Sequence, residues 1–129
     1  GKTDKSDTLG PRNFLSAEHL ANNIQEAPVW VMAILRNAAG STNPRAGSSI
    51  YGAVQHLMLA ARAYGIGATL TTLYASHEED VKKILGLPED AMTMALIPLG
   101  YPSKGRWAQP KRQPVKDIAF MDHWGQSIA

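Results

Sequence analysis

The stretch Ser48-Ser49-Ile50-Tyr51-Gly52-Ala53-Val54-Gln55-His56-Leu57-Met58-Leu59-Ala60-Ala61-Arg62-Ala63-Tyr64-Gly65 decides the reading of this chain. Ile50, Val54, Leu57, Met58, Ala61 and Tyr64 recur at helical spacing, Ser48 or Ser49 is placed to cap the start, and Gly65 supplies a left-handed stop. The polar side is thin, with Gln55, His56 and Arg62, and the alanines at 60, 61 and 63 allow another backbone to approach closely. A helix buried on most sides is therefore expected, and it needs elements to bury it.

The flanks supply them. Upstream, residues 16–25 carry Leu20 and Ile24 on one face behind Ser16 as a cap, which predicts a short amphipathic helix. Pro28 ends it, and the apolar run Val29-Trp30-Val31-Met32-Ala33-Ile34-Leu35 has the length and composition of a strand buried on both faces. Residues 36–47, with Asn, Gly, Ser, Thr and Pro in close succession, read as a surface loop. Downstream, residues 66–73 read as a strand leading into a turn. Ser76 and Glu79 form a capping box ahead of Val81, Ile84 and Leu85, with Gly86 and Pro88 closing that helix. Residues 92–99 are a second continuous apolar run, turned out by Gly100-Tyr101-Pro102. The order is helix, strand, helix, strand, helix, strand.

With 129 residues, 44% of them hydrophobic and 19% charged, the chain suits one globular domain. The absence of Cys removes thiolate nucleophiles, redox dithiols and Cys-based zinc sites, and is compatible with a reducing compartment. No apolar run reaches the roughly 20 residues needed to span a bilayer. The small polar residues 1–10 read as a flexible leader rather than a signal peptide, so a cytoplasmic protein without a membrane partner is the expectation. Three segments follow: a leader at 1–15, a core at 16–103, and a basic, proline-rich arm at 104–129.

Most familiar chemical signatures fail. Gly65-Ile66-Gly67 lacks the third glycine of a dinucleotide fingerprint and follows a helix instead of a strand. His19, His56, His77 and His123 show no metal-ligand spacing, so no metal is expected. Glu78, Glu79 and Asp80 sit in a first helical turn, where they complement the dipole. His56 reads as a satisfied core histidine, with a buried proton donor as the sharper alternative. Lys104, Arg106, Lys111, Arg112 and Lys116 lie among Pro102, Pro110 and Pro114 with Trp107 as the only aromatic between them, too few stacking platforms for nucleic-acid binding.

Two features carry chemistry. Thr69-Leu70-Thr71-Thr72 offers backbone N–H groups and small hydroxyls where a strand gives way to a turn, which suits the edge of a flat heteroaromatic ring. Lys111 and Arg112 offer two adjacent cations suited to a phosphate monoester, with a solvated basic tail as the plainer reading.

An ordered set of short pieces resembles the C-terminal half of the nitroreductase family of FMN-dependent oxidoreductases. The pieces are Ala27-Pro28-Val29, residues 49–57 leading into 59–67, Leu70-Thr71-Thr72-Leu73, Leu85-Gly86-Leu87-Pro88, residues 95–102 (ALIPLGYP) and Arg112-Gln113-Pro114. Asp122-His123-Trp124-Gly125 looks like the tail of actinobacterial-type members.

The resemblance implies an α+β, nitroreductase-like sheet flanked by helices, in a homodimer with the long helix at its interface. It implies FMN as cofactor, NAD(P)H as co-substrate and a nitroaromatic, quinone or similar small-molecule acceptor, with no catalytic side chain because the flavin carries the redox chemistry. Leu70, Thr71 and Thr72 would lie along the isoalloxazine, a backbone N–H near Thr72 would approach flavin N5, and Lys111 with Arg112 would contact the ribityl phosphate. The alternative is a catalytically silent dimerisation or binding module.

One departure carries an expectation. Nothing between Gly1 and Phe14 matches the Arg-Arg-Ser-x-Arg-like segment that supplies most phosphate contacts in the family, so the chain reads as a fragment or a reduced relative. Lys111 and Arg112 would hold a dianion nearly alone, and exposed charge pairs are worth about 1 kcal/mol or less each. Weak FMN binding by this chain is the expected result of a fluorescence titration, and submicromolar affinity would contradict it.

Overall fold

A computed structural model describes residues 11–38, 43, 45–103 and 112–128. The elements are α1 (Pro11–Asn23), β1 (Val29–Leu35), α2 (Tyr51–Ala63), β2 (Gly67–Ala68), α3 (Glu78–Leu85), β3 (Met92–Gly100) and α4 (Val115–Ile118), with 3-10 turns at Ile24–Glu26, Ala46–Ser49 and Ala75–His77. The strands form one antiparallel sheet in the order β1-β3-β2. The alternation of predicted helices and strands is the one observed, and the architecture is the expected α+β. No helix among the described residues is long and apolar enough to cross a membrane.

β3 is the centre of the fold. Ala95 and Ile97 are fully buried and meet Val54 of α2, with Val31, Ala33, Leu57, Met58 and Leu99 packed around them. Residues two apart on a strand share a face, so the odd positions of β1 and β3 together make the floor on which α2 lies. The pairing slips between Ala33 and Ile34, because Ala95 faces Ala33 whereas Thr93 faces Ile34. Met94 is thereby left over as a bulge, and its carbonyl accepts a hydrogen bond from the Tyr51 hydroxyl at 3.1 Å. Gly47 is needed beside that ring: a Cβ at position 47 would fall on Tyr51.

Several local expectations are corrected. α1 begins at Pro11, so Ser16 lies in its second turn and is not its cap, and residues 11–15 belong to a helix rather than to a leader. β1 is not buried on both faces: Val29 and Trp30 are about half exposed, and among the described residues the strand pairs with β3 alone. Ser48 and Ser49 do not cap α2: their hydroxyls donate to the carbonyls of Arg45 and Ala46, within the preceding 3-10 turn. Among the described residues Val54 is the buried residue of α2, while Leu59 is exposed and Tyr51, though bonded to Met94, keeps 40% of its surface in solvent. His56 is exposed and is neither a core histidine nor a buried donor.

The predicted box at Ser76 and Glu79 is also not formed, since His77 occupies the N-cap of α3 without a side-chain cap bond. Glu78 does the anchoring instead. Its Oε1 accepts from the Thr93 N–H at 2.9 Å and the Thr93 hydroxyl at 2.8 Å, tying α3 to β3. Gly86 then ends the helix as expected, at φ +60°, with Leu87 N–H reaching back to the Lys82 carbonyl.

The Thr93 N–H, followed by its hydroxyl and the charge of Lys82, holds the Glu78 carboxyl below its ordinary value of 4.5, against a partial burial that opposes the shift. A depressed folded-state pKa contributes stability that is complete above the unfolded value and is lost as pH falls through the folded one. Glu78→Gln is therefore expected to lower Tm at pH 6–7, with the gap to wild type narrowing below about pH 4. A gap of constant size across that range would show that the carboxylate charge is not what matters.

Candidate functional site

The 67–73 segment is shaped by one proline. Gly67 and Ala68 pair with Gly100 and Leu99, and Thr71 exchanges both backbone hydrogen bonds with Leu96 at 2.9 Å. The same register sets Thr69 opposite Pro98, which has no N–H to give the Thr69 carbonyl. The predicted strand at 66–73 is consequently reduced to a two-residue β2 and an isolated bridge at Thr71, and the chain between them is free to face outward.

Beyond the bridge, Thr71 fixes the turn. It is buried, its backbone is committed to Leu96, and its Oγ1 accepts the Leu73 N–H at 3.2 Å. Leu70 and Thr72 on either side are exposed, and the Thr72 N–H makes no hydrogen bond among the described residues, although its carbonyl accepts from Ala75. Backbone groups alternate along an extended segment, so with Thr71 turned to β3 the Thr72 N–H points away from the sheet, beside the exposed, apolar Leu70.

This segment makes one wall of an open groove of about 1110 Å³. Gly67 to Leu73, the end of β3 from Pro98 to Gly100 with the following Tyr101, and residues of α1 line it together. The α1 contribution follows helical spacing, with Ser16, His19, Leu20 and Asn23 at i, i+3, i+4 and i+7. Gly100 keeps the base open enough for the chain entering β1 to cross it, since a Cβ there would stand 3.1 Å from Pro28 Cδ. Pockets for a drug-sized ligand span roughly 300–1,000 Å³, so the groove has room for a ring system and a second small molecule beside it.

Leu70, Thr71 and Thr72 are thus gathered at one wall, with Thr71 as the support and its neighbours as the exposed surface. Arg112 is exposed and is not among the groove-lining residues, and Lys111 lies outside the described residues. Among the described residues no group of three or more His, Cys, Asp or Glu could hold a metal. Sequence reasoning missed the α1 wall and the Pro98 gap. The polar repeat at 16, 19 and 23 and a proline inside an apolar strand run are the signals that reveal them.

Other polar contacts serve the frame. Asp90 binds Arg36 Nε at 2.9 Å and the Asn37 N–H at 3.1 Å, which steadies the left-handed Asn37 at the exit of β1. The Arg36 guanidinium, with help from the Asn37 N–H, holds the Asp90 carboxyl below its usual range. Burial pushes the Tyr74 phenol up, with the Glu78 charge adding to it and Thr93 opposing. Near the end of the chain Phe120 pairs with Ser127 and its ring meets that of Trp124 at 4.7 Å, while Trp124 remains 91% exposed.

Known proteins share the sequence pattern and the fold. A protein of Methanothermobacter thermautotrophicus that carries the name NADH dehydrogenase/NAD(P)H nitroreductase is 35% identical over 74 residues, covering 56% of this chain and 38% of that protein. The crystal structure of a like-named protein from Parabacteroides distasonis superposes with a TM-score of 0.65 at 28% identity, over 81% of this chain and 61% of that one. NfnB of Sphigopyxis sp. strain HMH, described as an FMN and NADPH-dependent nitroreductase, shares the fold at a TM-score of 0.61 and 19% identity, over 95% of this chain and 62% of its own. The chain spans less than two thirds of the length of each of these relatives. The model of the nitroreductase family matches residues 3–101, more than half the chain, and the chain belongs to that family.

Proposed function

We propose that the groove holds the isoalloxazine of FMN and that the protein this chain represents passes hydride from NAD(P)H to a nitroaromatic, quinone or similar acceptor. The observation that carries this reading is the Thr72 N–H, which makes no hydrogen bond among the described residues and stands beside the exposed Leu70 on the wall of an open groove. A flavin ring presents hydrogen-bond acceptors along its edge, and a fixed main-chain donor beside an apolar side chain is the kind of polar group that orients a flat ligand in such a groove.

When bound, FMN supplies the hydride chemistry between NAD(P)H and the acceptor. The protein does the rest. Thr72 offers its N–H to the ring edge and Leu70 packs on the ring. Thr71, locked to Leu96, holds that donor in place so that little ordering is needed on binding. The open side of the groove admits the co-substrate and the acceptor by turns.

Arg112, with Lys111, would meet the phosphate. Arg112→Ala is expected to weaken FMN by roughly three- to tenfold, as the loss of one charge-assisted contact does, and to leave riboflavin within about twofold. Equal losses for the two ligands, measured by flavin fluorescence, would assign Arg112 to the fold or the ring instead.

The homodimer belongs to the same reading. Leu59 and Tyr51 on α2 and Tyr64 just beyond it are exposed beside small alanines, an apolar surface of the kind that a second copy covers. The whole reading is tested by the visible spectrum of the purified chain after FMN addition and dialysis, and by NAD(P)H oxidation with quinone acceptors. Retained flavin with acceptor-dependent turnover supports it; a colourless chain that shows no flavin binding in titration favours the silent module.

A further inference from the structure

We propose that His19 is a binding residue for the electron acceptor, its Nε2–H donating to a carbonyl or nitro oxygen of a planar substrate in the groove. The inference rests on the reading of the groove given above and adds to it the α1 wall.

The tautomer follows from one amide. The Asn23 side-chain Nδ2 lies 2.8 Å from the His19 backbone carbonyl, which only accepts, so this atom is the NH2 nitrogen and the amide orientation is fixed. The same nitrogen lies 3.2 Å from His19 Nδ1, where its second hydrogen suits the tautomer that accepts at Nδ1. A neutral imidazole that accepts at Nδ1 carries its proton at Nε2. That N–H makes no hydrogen bond among the described residues, and His19 lines the groove.

The clamp also fixes the ring. Asn23 stands one turn further along α1 and holds both the backbone and the side chain of His19, so the imidazole is held at one end before any ligand arrives. Beside it the α1 wall presents the apolar Ala17 and Leu20. A single oriented donor on a largely apolar wall selects a flat molecule with an acceptor oxygen at its rim. A nitro group and a quinone carbonyl share that chemistry, and a hydrocarbon ring lacks it.

The test uses the full chain with isotope-labelled histidine, titrated with 2-methyl-1,4-naphthoquinone and with 2-methylnaphthalene, each with and without FMN. The Nε2 resonance of His19 is expected to report the Nε2–H tautomer in the free chain and to move on adding the quinone but not the hydrocarbon. His19→Gln, which keeps a donor, should bind the quinone within about twofold of wild type, and His19→Leu should lose roughly three- to tenfold. Neither variant should change the affinity for 2-methylnaphthalene.

A His19 resonance unmoved at saturating quinone, or no quinone binding at all, overturns the inference, and this measurement on the wild-type chain stands even if His19→Leu fails to fold. Equal losses of quinone and hydrocarbon in His19→Leu also overturn it, as loss of packing. FMN affinity is read in the same samples: quinone binding at His19 without FMN binding supports this inference while defeating the flavin reading, and FMN binding with no quinone response at His19 does the reverse.

Discussion

Ile97→Ala is expected to cost about 3 kcal/mol of folding stability, within the range of roughly 2–5 kcal/mol for removing a fully buried Ile side chain to its Cβ. Among the described residues Ile97 is the largest side chain that solvent does not reach, and it lies in the central strand, paired with Val31 of β1 and packed under α2. The surrounding cluster is thin. Val54 and Ala95 are its only other fully enclosed members, so few neighbours are free to close the cavity. A domain of this size has about 5–15 kcal/mol in total, and losing this much should move the urea midpoint by a large fraction of its value. Ile84→Ala serves as the control, because Ile84 is 82% exposed on α3 and should change stability by about 0.5 kcal/mol or less. Similar losses at the two positions would mean that β3 is not the centre of the core.

The largest functional effect is expected at a backbone atom. Thr72→Pro removes an N–H that makes no hydrogen bond among the described residues, whereas Thr72→Ala keeps it. Thr71 is in a strand bridge, an extended conformation that tolerates a following proline. Removing a donor from a bound polar edge leaves its partner unsatisfied and costs about 1–3 kcal/mol, or roughly 5- to 150-fold in affinity. FMN binding should therefore fall at least fivefold in Thr72→Pro and stay within about twofold in Thr72→Ala, with matching circular dichroism in both. Equal affinities would remove the Thr72 N–H from the site.

The legible parts of the sequence were those where one local rule acts alone. The run at 92–99 reads as a strand because no other element competes for it, and Gly86 reads as a helix stop because its positive φ is a property of the glycine itself. Termini were less legible where hydroxyls had other partners. Ser48 and Ser49 have the composition of a cap, yet the 3-10 turn before α2 draws their hydroxyls to its own carbonyls. Glu79 has the spacing of a capping box, but Glu78 reaches a donor on β3 that only the tertiary fold brings near. Burial was the least legible property. The apolar run at 29–35 and the thin polar side of α2 are patterns of contact on all sides, and among the described residues an edge position and an uncovered helix face leave both partly open.

The candidate site was half visible. Leu70 to Thr72 stand out as a strand-to-turn transition, and the family resemblance points to the same residues. The groove that gives them something to face depends on α1, which is separated from them by more than forty residues, and on the missing donor at Pro98. Both are tertiary facts with a local trace.

The central claim, that the wall at 70–72 is a flavin-binding edge, is tested most directly by the amide resonances of the full chain during an FMN titration. The account predicts that the largest movements fall at Leu70, Thr71 and Thr72, with the Thr72 amide moving furthest, even if the affinity is weak. Saturation with FMN that leaves those three amides in place while others move would put the flavin elsewhere on the chain, and no movement at any concentration would leave the groove without its proposed ligand.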